Sequence, residues 1–157
     1  VEEDRIPVAR DLLQKSGDKL VFPVDCIVAK ELREGAPHRA VTSAAVGHDD
    51  MVLDIGPETA TAFREVIDSA RTILWNGPMG VFETPPFGVG TIDIAHSVAD
   101  VCDSGALVVL GGGDSAMAAD LAGVTPRLTH VSSGGGASLA FLAGKTLPGV
   151  DSLSDKE

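Results

Sequence analysis

The amino-acid sequence predicts an α/β fold: a doubly wound parallel sheet within one domain spanning residues 1–157. Three observations predict it. Short apolar runs bounded by glycine or proline recur along the chain, as MVLDI (51–55), TILW (72–75), ALVVL (106–110) and Leu128–Val131. Segments of helical periodicity separate them, and strands alternating with helices imply parallel pairing with helices on both faces. ALVVL is apolar throughout instead of alternating, as a strand covered on both faces requires.

The elements follow in order. Residues 3–16 read as a helix, with Ile6, Ala9, Leu12 and Leu13 as its apolar stripe and Gly17 placed to end it. Lys19–Ala29 reads as a buried strand that Pro23 disturbs at an edge or bulge. Residues 30–50 are polar and irregular, with room for a short hairpin. After MVLDI, Gly56-Pro57 opens a helix running through Ala70. Pro57 suits the first helical position and Glu58 the positive end of the dipole. Phe63, Val66, Ile67 and Ala70 form its inner face. TILW leads through a glycine- and proline-rich loop to a helix from about Thr91 to Cys102. ALVVL leads to a helix of small residues from Asp114, and Leu128–Val131 to a last helix over Ala137–Ala143.

Composition narrows the function. The formal charge of −11 argues against nucleic acid as a partner, because a phosphate backbone needs a basic surface. An anionic ligand would need backbone N–H groups, a divalent metal, or basic residues outside this chain. No apolar run reaches the length that spans a bilayer, so no membrane partner is expected. Cys26 and Cys102 form no CxxC pair and read as reduced core thiols, consistent with a reducing, cytoplasmic setting. The four histidines are scattered without metal-ligand spacing. The chain opens on Val1 with helical residues close behind, which leads us to expect a piece of something longer.

Three glycine-rich segments follow three of the strands: Asn76-Gly77-Pro78-Met79-Gly80, Gly111-Gly112-Gly113-Asp114-Ser115 and Ser132-Ser133-Gly134-Gly135-Gly136. In a doubly wound sheet these strand ends share the edge where ligands bind. Glycine admits close backbone approach, and the helix that follows points free N–H groups at an anion. Two of the three segments are therefore candidate phosphate sites. Asp114 opens a helix directly after three glycines. It reads as an N-cap or as a Mg²⁺ ligand beside phosphates, and the two are not fully exclusive. Glu83 is either a surface carboxylate or an acceptor for ribose hydroxyls. Gly111, Gly113 and Ala116 satisfy the G-x-G-x-x-A dinucleotide pattern, but the acidic residue expected about 20 positions on is missing. Gly144-Lys145-Thr146 resembles the end of a P-loop, but the earlier glycine it requires is Leu139.

Together the segments resemble one family. LWNGPMGVFE (74–83) resembles the WNGPxGVFE signature of phosphoglycerate kinases. GGGDSA (111–116) resembles their GGGDT/S-A element, HVSSGGGASL (130–139) their HVSTGGGASL, and GKTLPGV (144–150) their GKxLPGV ending. Asp54-Ile55-Gly56-Pro57 and Phe22-Pro23-Val24-Asp25 match earlier stretches, in the family's order. The resemblance implies an incomplete, Rossmann-like, three-layer C-terminal domain that binds Mg²⁺ with ADP or ATP. It implies phosphoryl transfer between 1,3-bisphosphoglycerate and ADP in glycolysis. Asn76 would lie by the nucleotide phosphates, Pro78 would line the adenosine and Glu83 would meet the ribose. Gly111, Gly112, Gly113 and Ser115 would contact phosphate, and Asp114 would take the metal-nucleotide. Gly134, Gly135 and Gly136 would present N–H groups to the transferring phosphoryl.

Ser115 and Ser133 stand where threonine is common and keep a hydroxyl, and Met79 stands where proline is frequent. Family members are well over twice this length. The resemblance therefore places the 3-phosphoglycerate site, with its basic residues, on an N-terminal domain absent here. A glycine-lysine phosphate segment is absent too, and no turnover is expected from these residues alone. The parent is expected to be monomeric. Leu147, Val150 and Leu153 would lose their cover, so the isolated chain is expected to self-associate.

Overall fold

The computed structural model describes residues 2–154; Val1 and 155–157 of the expected domain lie outside them. The chain forms α1 (Ile6–Ser16), β1 (Asp25–Ala29), β2 (His38–Thr42), β3 (Met51–Ile55), α2 (Pro57–Ser69) and β4 (Thr72–Asn76). It continues through α3 (Val89–Asp103), β5 (Leu107–Gly111), α4 (Gly113–Leu121), β6 (His130–Ser132), α5 (Gly135–Leu142) and a short α6 (Pro148–Asp151).

The strands form two sheets instead of one. β4, β5 and β6 make the expected parallel sheet, in that order. MVLDI does not join it. As β3 it runs antiparallel to β1, which also pairs antiparallel with β2, giving a second sheet in the order β2-β1-β3. The reason lies at residues 19–29. Only Asp25–Ala29 is strand, and Leu20, Val21, Phe22 and Val24 are exposed instead of buried. The segment after Pro23 turns into a hairpin with β2, and β3 takes its other side.

The main core lies on one face of the parallel sheet. Val108 and Leu110 of β5 are fully buried there with Trp75 of β4, against Ile94, Ala95, Val98 and Ala99 of α3 and Ala118 and Ala119 of α4. The small residues of α4 allow that close approach. Phe63 and Ile67 of α2 pack at the margin, whereas Val66 is exposed. On the opposite face, among the described residues, α5 and the segment after it lie over the sheet. An apolar cavity of about 420 Å³ remains between them, lined by Leu74, Val109, Ala137, Phe141, Leu142 and Leu147. The fold is thus α/β with a three-stranded parallel sheet and a separate antiparallel sheet, and where three layers are expected the parallel sheet has one well-covered face and one open face. No residue of α1 is buried, so the stripe of Ile6, Leu12 and Leu13 stays at the surface. Cys26 is buried and Cys102 only partly so; both are free thiols. No helix among the described residues is long and apolar enough to cross a membrane.

Candidate nucleotide site at the glycine-rich strand ends

Parallel register sets the three glycine-rich segments side by side. Asn76 pairs with Gly111, and Gly111 with Ser132, so all three strands end on one line. Gly112 N–H donates to Ser132 O at 2.8 Å and carries the second segment onto the third. Its φ of 104° is open only to glycine without strain. A Cβ on Gly135 would meet Gly112 Cα at 2.8 Å, so glycine at 135 lets the starts of α4 and α5 touch.

These two helix starts are open. Their N-caps are Gly112 and Gly134, and neither has a side-chain capping bond. The first intrahelical bonds run from Ala116 N–H to Gly112 O and from Ser138 N–H to Gly134 O. Ahead of them, the N–H groups of Gly113, Asp114 and Ser115, and of Gly135, Gly136 and Ala137, have no acceptor among the described residues. Nothing lies within 4 Å of a Cβ built on Gly113 or Gly136. Five of these six donors, all but that of the buried Ser115, lie on exposed or half-exposed residues, and with two positive dipole ends they make an arrangement suited to a polyanion.

Asp114 is in the first turn of α4, exposed, and does not cap the helix. That removes the N-cap reading and leaves a free carboxylate beside the donors. Among the described residues no cluster of three or more His, Cys, Asp or Glu could enclose a metal ion, so a cation here would draw its remaining ligands from phosphate and water. Ser115, expected at phosphate, is 1% exposed, and its Oγ accepts the Gly77 N–H at 2.6 Å. Its side chain ties the first segment to α4.

The first segment has a different construction. Gly77 O accepts from Trp75 Nε1 at 2.8 Å, and Met79 and Gly80 both donate to Thr91 Oγ1, at 3.1 and 3.0 Å. Pro78 has no N–H. Every N–H from 77 to 80 is therefore committed inward, and the segment offers anions only the Asn76 side chain. Asn76 is exposed and makes a long 3.5 Å contact from Nδ2 to Gly135 O. Glu83 is exposed on the following loop, and no contact joins it to the glycine cluster among the described residues. Sequence reasoning missed Thr91, read only as a helix start, and took Trp75 as core alone.

Two other helices, α2 and α3, are built in the opposite sense. α2 and α3 also have glycine N-caps, Gly56 and Gly88, without side-chain caps of their own. A buried carboxylate from a neighbouring strand takes that place. Asp25 of β1 accepts from Glu58 N at 3.1 Å, Thr59 N at 2.7 Å and Thr59 Oγ1 at 2.6 Å. Asp54 of β3 accepts from Gly90 N at 2.8 Å and from Ile55 N at 2.9 Å. Burial pushes Asp25 up, but the bonds from Thr59 and Glu58 outweigh it and hold the group below the ordinary carboxylate range. Burial wins at Asp54 and, with Asp93 nearby, pushes it up to about 6 against the pull of the Gly90 and Ile55 N–H groups.

A family model described as phosphoglycerate kinase matches residues 1–145. The chain belongs to the phosphoglycerate kinase family. The phosphoglycerate kinase of Lacticaseibacillus casei (strain BL23) is 46% identical over 156 residues, covering 99% of this chain and 39% of that protein. That of Lactobacillus delbrueckii subsp. bulgaricus is 48% identical over 160 residues, covering 99% and 38%. The phosphoglycerate kinase structure from Coxiella burnetii superposes with a TM-score of 0.86 at 38% identity, covering 96% of this chain and 39% of that one. The one from Pyrococcus horikoshii OT3 gives 0.79 at 36% identity, covering 94% and 36%. The chain thus spans about two fifths of the length of these phosphoglycerate kinases, and its fold matches the corresponding part of them.

Proposed function

We propose that this chain is the nucleotide-binding, C-terminal portion of a phosphoglycerate kinase. The paired open starts of α4 and α5 carry the reading. A nucleoside di- or triphosphate is a polyanion, and in a chain of net charge −11 backbone donors are the groups suited to hold it. Gly111, Gly112 and Gly113 with the first turn of α4 bind the nucleotide phosphates, and Asp114 holds Mg²⁺ against them. Bound Mg²⁺ neutralises phosphate charge. Gly134, Gly135 and Gly136 present N–H groups to the phosphoryl being transferred. Asn76 reaches the phosphates from the first segment, Pro78 lines the adenosine, Glu83 accepts from the ribose, and Ser115 fixes the first segment against α4.

Phosphoryl transfer needs alignment and charge neutralisation more than covalent chemistry, which suits such a set of donors. Binding of 3-phosphoglycerate or 1,3-bisphosphoglycerate belongs to the rest of the parent, so glycolytic turnover requires the whole protein. The free, partly buried thiols support a cytoplasmic setting. The parent is a monomer. The exposed Val150 and Leu153, and the open sheet face, favour self-association of this chain alone.

Calorimetric titration with Mg-ADP tests the assignment. Weak saturable binding is expected, weakened further by Asp114→Ala. An absence of binding, or binding that Asp114→Ala leaves unchanged, contradicts it. A coupled assay on these residues alone should show no phosphoglycerate-dependent ATP turnover.

A further inference from the structure

We propose that Thr91 is a positioning residue for the loop 76–80, and that Asp54 holds the helix start that presents it. The proposal rests on the nucleotide reading above. Thr91 is fully buried in the first turn of α3, and its single Oγ1 accepts from two successive loop N–H groups, Met79 and Gly80. Asp54, 2% exposed, accepts from Gly90, the residue before Thr91. Space around the carboxylate is specific to glycine: a Cβ on either Gly80 or Gly90 would overlap Asp54. Beyond Gly80, Val81 N–H donates to Leu53 O at 2.9 Å, so the loop is fastened to β3 as well.

The fastening has a consequence at the site. Gly77 has a φ of 102°, and its N–H is held by Ser115 and its carbonyl by Trp75. The loop is therefore pinned at one end to α4, whose first turn carries the free donors and Asp114. At the other end it is pinned to α3 and β3. Asn76 and Pro78 lie on this pinned stretch. Thr91 touches no open surface, so it can act only by setting where Asn76 and Pro78 stand relative to the starts of α4 and α5. A supporting shell of this kind decides whether binding groups are held in register or left loose.

The test compares Thr91→Val, which keeps the shape but removes the acceptor, with Thr91→Ser, which restores a hydroxyl. Two readouts are taken on the full chain: Mg-ADP affinity by calorimetry and amide hydrogen exchange. Thr91→Val should weaken Mg-ADP binding about tenfold and speed exchange at Met79 and Gly80, with β5 amides still protected. Thr91→Ser should return both toward the starting values. If the unsubstituted chain binds Mg-ADP and Thr91→Val binds it equally well, the positioning role is overturned while the nucleotide reading stands. If Thr91→Val loses β5 protection as well, Thr91 is a fold residue and the proposal is overturned. If the unsubstituted chain shows no Mg-ADP binding, both readings are overturned.

Discussion

The chain has four long helices that follow strands or loops through a glycine N-cap, and it treats them in two ways. In the antiparallel unit, Asp25 and Asp54 reach across from neighbouring strands to the starts of α2 and α3. In the parallel unit, the starts of α4 and α5 receive no side chain. The glycines differ accordingly. Gly56 and Gly90 make room for a carboxylate, while Gly135 makes room for the Gly112 backbone. The same local chemistry, a helix start lacking its own cap, is closed from within in one unit and presented outward in the other. A helix N-terminus therefore becomes a candidate site only where the fold leaves its donors without an internal acceptor.

Substitutions can break or sharpen this contrast. The largest effect is expected at Asp25. Asp25→Ala leaves the Glu58 and Thr59 N–H groups without their carboxylate acceptor and should cost about 3 kcal/mol in urea unfolding, with Mg-ADP contacts unmoved. Gly135→Ala should follow, at about 2 kcal/mol, because the new methyl meets the Gly112 backbone at 2.8 Å. It should also weaken Mg-ADP binding, since the two helix starts must part. A smaller effect concerns pH, with opposite signs at the two caps. The folded pKa of Asp25 is depressed, so its contribution is present above the ordinary value of 3.8 and lost as pH falls through the folded value. The folded pKa of Asp54 is raised to about 6, so its contribution is present below 3.8 and lost as pH rises through about 6. Asp54→Asn should flatten the stability profile between those values, and thermal melts across pH 4–7 measure it. The smallest effects on stability, within about 0.5 kcal/mol, are expected for Asp114→Ala and Gly136→Ala, which touch nothing inside the protein.

Much of the parallel unit could be read from the sequence. Continuous apolar runs such as ALVVL, followed at once by glycines and a helical stretch, have few alternatives, and the observed strands fall within two residues of the expected ones. The antiparallel unit was read less well. MVLDI looks like its parallel counterparts because strand direction is set by long-range pairing with β1 and leaves no local mark. Residues 20–24 are apolar enough for a buried strand; Pro23 signals a disturbance but does not by itself place them outside both sheets. At the site, the placement of the three glycine segments on one edge, with Asp114 in the first turn of the helix after the second, was legible because the strand ends of a parallel sheet share an edge. The loop-fastening contacts of Ser115 and Thr91 were not, because a buried hydroxyl that accepts from a distant loop carries no sequence signal. Glu83 stays apart from the cluster, so its role rests on the family resemblance and not on contacts here.

The central claim is that donors left open at α4 and α5 are the ones that meet the nucleotide. Amide chemical shifts recorded by two-dimensional NMR during a Mg-ADP titration test it most directly. The account predicts the largest shifts at Gly113, Asp114, Ser115, Gly135, Gly136 and Ala137, with Glu58, Thr59 and Gly90 unmoved. Shifts centred on the capped starts of α2 and α3, or no shifts at the open ones, would contradict it.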